Sequence, residues 1–62
     1  MDKKISIILS TYNEAAVIKD TITKIFENLD NVEIILVDDN SPDGTFDIAK
    51  KINNPNLKVF LR

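Results

Sequence analysis

The chain has no cysteine and no histidine, and only one glycine, Gly44. Without cysteine it can form neither a disulfide nor a thiolate metal site. Without histidine it lacks the imidazole base and the commonest zinc ligand. Acid or base chemistry must therefore come from carboxylates. A single glycine also rules out the glycine-rich phosphate turn of a nicotinamide-binding domain. Eight Lys plus Arg against ten Asp plus Glu give a formal charge of −2, without the basic excess that holds a phosphate backbone, so nucleic acid is excluded as the expected partner. No apolar run is long enough to span a bilayer, and the start Met1-Asp2-Lys3-Lys4 lacks the apolar stretch of a signal peptide. A cytoplasmic setting is the default expectation, although the absence of cysteine suits either redox compartment. The chain's 62 residues allow one small domain. A chain of this size buries only about 60% of its unfolded surface, which leaves little margin over conformational entropy.

What the sequence does contain is alternation of two periods. Lys4 to Ser10 is short and β-branched, which predicts a strand. From about Glu14, Ile18, Ile22, Ile25, Phe26 and Leu29 form one stripe of an amphipathic helix, with Asn13 as N-cap and an end in Asn28 to Asn31. Val32 to Val37 predicts a second strand. Ser41 before Pro42 is the expected cap of a second helix running from Pro42 or Asp43 to Ile52, with Phe46, Ile48 or Ala49, and Ile52 facing inward. Asn53 to Asn56 reads as a turn and Leu57 to Leu61 as a third strand.

The order β-α-β-α-β with short connections implies an α/β fold: a three-stranded parallel unit with right-handed crossovers and the spatial order 3-2-1. Both helices then lie on one face of the sheet. The other face carries Ile8, Ile35, Val37 and Phe60, and strands apolar on both sides belong to sheets covered on both sides. Residues 1–62 are therefore expected to be a single partial domain, a unit that self-associates through its bare face, or a fold that is marginal alone.

Two polar clusters stand at strand ends. Ile5 to Leu9 runs into Ser10-Thr11-Tyr12-Asn13-Glu14, and the run from Ile34 ends in Asp38-Asp39-Asn40-Ser41-Pro42-Asp43-Gly44-Thr45. In open α/β sheets ligands bind at the carboxyl ends of strands. Tyr12 can stack on a base, a contact worth about 1 to 3 kcal/mol in single-strand systems, or it can simply close the sheet edge. Glu14 can support the first turn of a helix or reach a ribose hydroxyl. Strand alternation sends Asp38 and Asp39 to opposite sides, with Asp38 expected to brace the loop and Asp39 to meet a ligand. Ser41, Asp43, Gly44 and Thr45 read as turn and cap chemistry, with Ser41 and Asp43 supporting that loop. A phosphoacceptor receiver domain also has paired aspartates, but on its first strand.

With both clusters in place, residues 5–18 (ISIILSTYNEAAVI) and 34–45 (IILVDDNSPDGT) make the chain resemble the N-terminal half of a family 2 glycosyltransferase of GT-A fold, a Rossmann-like nucleotide-binding domain. Within that family it is most similar to dolichyl- or polyprenyl-phosphate mannosyl- and glucosyltransferases. The resemblance implies that Ser10, Tyr12 and Glu14 line the base and ribose of a GDP- or UDP-hexose and that Asp39 hydrogen-bonds the base. It also implies a polyprenyl-phosphate acceptor at the cytoplasmic membrane face. Thr11 stands where many of these synthases have proline. The family's Asp-x-Asp motif, which binds Mg²⁺ or Mn²⁺, is not among these residues, and no acidic residue follows Asp47. The cation's ligands are expected outside this chain, and the chain alone is expected to be inactive in transfer.

Overall fold

A computed structural model describes residues 3–62. Its elements are β1 (Ile5–Thr11), α1 (Ile18–Asn28), β2 (Val32–Asp38), α2 (Thr45–Lys50) and β3 (Leu57–Leu61). The strands form one parallel sheet in the order β1-β2-β3, with β2 central. In the ladder Ile7 pairs with Ile34 and Ile34 with Leu57, while Thr11 pairs with Asp38 and Asp38 with Leu61.

Alternation along β2 decides which face is covered. Val32, Ile34, Leu36 and Asp38 are buried, and Glu33, Ile35 and Val37 are only partly so. Ile18 and Ile22 of α1 and Ala49 of α2 pack with Ile34 and Leu36, and Leu9, Ile25, Phe26, Ile48, Ile52, Leu57 and Val59 surround this centre. Each fully buried aliphatic side chain contributes about 1.5 to 3 kcal/mol, so this one-sided core is thin for a chain that must order a whole backbone. The opposite face is bare: Ile8 is 69% exposed and Phe60 53%. Register places both on the side shared by Ile35 and Val37.

Both helices are shorter than the periodicity predicts. Asn13 has φ 56, a left-handed conformation, whereas an N-cap takes extended backbone, so it does not cap α1. Residues 15–17 form a turn, and Val17 occupies the cap position with no side-chain bond. The Glu14 carbonyl instead accepts the amides of Val17 and Ile18, at 3.0 and 2.8 Å. Leu29 falls outside the inner stripe because the backbone is already extended there. Ser41 and Pro42 do not start α2 either. The cap is Gly44, at φ 90, a conformation glycine adopts without steric cost. α2 ends at Lys50, although Ile52 still reaches the core. Both leading strands run one residue beyond expectation, to Thr11 and Asp38, because these two residues still pair in the ladder.

Candidate functional site at the carboxyl tips of the strands

Beyond β1 and β2 the chain forms two loops that grip each other. Three successive amides of the first loop meet acceptors of the second. Asn13 N donates to Ser41 Oγ (2.9 Å), Glu14 N to Thr45 Oγ1 (2.9 Å) and Ala15 N to Asp43 Oδ2 (3.0 Å). A hydroxyl can accept and donate at once, and both hydroxyls here do so. Ser41 Oγ donates to Asp38 Oδ1 at 2.6 Å, and Thr45 Oγ1 donates to Asp43 Oδ1. Each carboxylate thus fixes a hydroxyl, and each hydroxyl fixes an amide of the facing loop. These bonds supply partners for the amides of the turn that leads into α1.

Asp38 is fully buried and accepts three bonds: Thr11 Oγ1 at 2.7 Å, Ser41 Oγ at 2.6 Å and Ser41 N at 2.8 Å. Burial pushes its carboxyl up, but the hydrogen bonds from Ser41 and Thr11 more than offset this and hold it below the ordinary value of 3.8. Asp43 is also held below 3.8, first by the Thr45 hydroxyl and then by the Ala15 amide. Both are ionised at neutral pH and their oxygens serve the loops.

Asp39 has the opposite fate. It is exposed, with one side-chain partner, Arg62 Nε at 3.5 Å. The last bonds of the ladder run from Asp39 N to Thr11 O (3.0 Å) and from Arg62 N to Asp38 O (2.8 Å), closing the pairs Thr11–Asp38 and Asp38–Leu61. Tyr12, Asp39 and Arg62 therefore each follow directly on a residue of the last paired row. Paired strands lie about 4.8 Å apart, so Tyr12 and Asp39 leave neighbouring strands at the same level. The Tyr12 side is 56% exposed, so the ring does not pack into the core. Ser10 is exposed two residues before Tyr12, on the bare side opposite Val37. Glu14 is partly buried, and its backbone is engaged on both sides, by Thr45 and by Val17 with Ile18.

Three more residues enter the site: Thr11 and Arg62, to which sequence reasoning gave no role there, and Thr45, read only as turn and cap chemistry. Thr11 supplies a hydroxyl to Asp38, a bond that a proline at this position has no group to make. Thr45, fully buried, links Asp43 to Glu14. Arg62 lies beside Asp39. Register would have found Thr11 and Arg62, because Thr11 is level with Asp38 and Arg62 follows Leu61 as Asp39 follows Asp38. Among the described residues no group of three or more carboxylates could hold a metal ion. A groove lined by Lys19 and Thr23 of α1, Ile48 of α2 and Lys51, Ile52 and Asn53 just after α2 includes none of the strand-tip side chains.

The model of the family described as Glycosyl transferase family 2 matches residues 6–62. The chain is 38% identical, over 95% of its length, to an uncharacterized glycosyltransferase of Mycoplasma genitalium, and it covers 22% of that protein. It is also 38% identical, over 82% of its length, to a dolichol-phosphate mannosyltransferase of Pyrococcus furiosus, of which it covers 15%. The chain thus spans about a fifth or less of the curated relatives it matches. No solved structure matches it at a significant level.

Proposed function

Because this chain belongs to glycosyl transferase family 2, we propose that it is the nucleotide-binding N-terminal part, half of a GT-A sheet, of an enzyme that moves a hexose from a GDP- or UDP-sugar to an acceptor. The observation that carries this reading is an exposed ring, Tyr12, and an exposed carboxylate, Asp39, each directly following a residue of the last pair of neighbouring parallel strands, Thr11 and Asp38. Tyr12 stacks on the base and Asp39 accepts its ring N–H. Ser10 and Glu14 line the base and ribose. Asp38, Ser41 and Asp43 hold the two loops at the spacing this requires, and their hydrogen bonds support that role.

The acceptor is a polyprenyl phosphate, a reading supported by similarity to a protein named for dolichol phosphate. Its meeting place with the enzyme is the cytoplasmic membrane face; no helix among the described residues is long and apolar enough to cross a membrane. The Mg²⁺ or Mn²⁺ of the whole enzyme takes its ligands from outside these residues. Asp38 and Asp43 are committed to the loops, which leaves Asp39 as a single exposed carboxylate directly after the last paired row and does not fit a cation site. The chain alone binds a nucleotide and does not transfer sugar.

The test is calorimetric titration of GDP and UDP into the wild-type chain and into Tyr12→Ala and Asp39→Ala. Each variant should lose most of the affinity. Wild-type affinity in both would remove the assignment. A second reading, self-association of the isolated chain, is favoured by the exposure of Ile8 and Phe60 on the uncovered face. Sedimentation velocity decides it, since a monomer across a wide concentration range argues against it.

A further inference from the structure

The geometry points to Arg62 as a second base-reading residue, one that donates to the carbonyl next to the ring N–H accepted by Asp39; this rests on the nucleotide reading above. The residues that directly follow the last paired row are, in strand order, an aromatic, a carboxylate and a guanidinium, and the last two touch. Strand register sets that order, with Asp39 N to Thr11 O and Arg62 N to Asp38 O as the closing bonds of the ladder. The side-chain contact between Asp39 and Arg62 is long, at 3.5 Å, and the side chains are 59% and 67% exposed, so it is a weak pair that an incoming ligand can open. It engages only Nε, which leaves the two Nη groups as donors in a planar fork.

An acceptor beside a donor fork matches one type of heterocycle edge. A lactam offers a ring N–H next to a C=O, so the carboxylate accepts from the first while the guanidinium donates to the second. Guanine and uracil both carry this edge. Adenine and cytosine in the same pose turn a ring nitrogen lone pair toward Asp39 and an amino group toward Arg62, so both contacts are mismatched. A site whose polar groups are left unpaired by the wrong ligand rejects it strongly. Arg62 therefore selects the class of base, and the two lactam bases are separated by experiment.

The experiment titrates GDP, UDP, ADP and CDP, together with 6-thio-GDP and 4-thio-UDP, into wild type, Arg62→Leu and Arg62→Lys. Sulfur is a weaker acceptor than oxygen. In wild type the thio analogue of the bound base should bind about 3- to 10-fold more weakly, and ADP and CDP at least about tenfold more weakly, given the strength of bonds to charged groups. Arg62→Leu should lose about tenfold for the lactam nucleotide and should erase the oxygen-to-sulfur difference, while Arg62→Lys keeps part of both. The stronger of the GDP and UDP arms identifies the base. If Arg62→Leu keeps the wild-type oxygen-to-sulfur ratio, Arg62 does not touch the carbonyl and the inference fails, although loss of binding in Asp39→Ala would leave the nucleotide reading intact. If wild type binds no nucleotide, both readings fall.

Discussion

Replacing Asp38 with asparagine perturbs the most heavily bonded polar position of the fold while hardly changing its shape. The native carboxylate takes two hydroxyls on Oδ1 and the Ser41 amide on Oδ2. An asparagine has one acceptor oxygen. If that oxygen stays with the hydroxyls, its NH₂ faces the Ser41 N–H, donor against donor. A hydrogen bond to a charged group contributes about 1.5 to 3 kcal/mol, and a neutral one about 0.5 to 1.5. One bond is lost and two are weakened, and after allowance for non-additivity the expected cost is about 3 kcal/mol. A core this small supplies about 3 to 5 kcal/mol in total, so Asp38→Asn should abolish or nearly abolish the cooperative transition. Asp39→Asn, one residue on, touches only an exposed pair and should cost less than about 1 kcal/mol. Urea unfolding followed by circular dichroism compares the two directly. Equal midpoints for the two variants would refute the argument that these neighbours divide bracing from binding.

Thr45→Val keeps the shape of a buried side chain but strands the Glu14 amide, and should cost about 1 to 3 kcal/mol in the same assay. Gly44→Ala meets no atom within 4 Å, so its cost should be the backbone strain of φ 90 alone, about 1 to 2 kcal/mol. The lowered carboxyls of Asp38 and Asp43 give the acid response a definite sign. Their native values lie below 3.8, so the unfolded chain takes up protons first, and the stability they provide is complete above 3.8 and lost as pH falls from there through the native values. Unfolding midpoints should be flat through the neutral range and fall below about pH 4, less steeply in a variant already lacking Asp43. On the bare face, Ile8→Ser and Phe60→Ser should leave the unfolding free energy within about 0.5 kcal/mol while reducing association in sedimentation velocity, because neither side chain belongs to the core.

The strands were legible because their signal is local. Leu57–Leu61 is observed with the bounds that its β-branched and apolar run predicts, and the alternation of β2 separates Ile34 and Leu36 from Ile35 and Val37. The parallel sheet and the uncovered face follow from the same alternation and from the order of elements. The helix starts were not legible, because side-chain bonds to other partners set them, about thirty residues away in sequence for α1 and three residues back for α2. Asn13 looks like a cap, but Ser41 takes its amide and the backbone turns left-handed. Ser41 looks like a cap for α2, but its hydroxyl and amide both go to Asp38. At the strand tips, residue type directed attention to Tyr12 and to the acidic pair. Only register shows that Tyr12 and Asp39 leave neighbouring strands at the same level, and only the side-chain contact brings in Arg62.

The central claim is that one small molecule is held by the strand tips, and it is tested most directly by a ¹⁵N heteronuclear titration of the labelled chain with GDP and with UDP. The account predicts saturable shifts confined to the amides of Ser10 to Glu14, of Asp39 to Ser41 and of Arg62, with Lys19, Thr23 and Lys51 at the helix groove unmoved. Shifts centred on that groove, or none with either nucleotide, would contradict it.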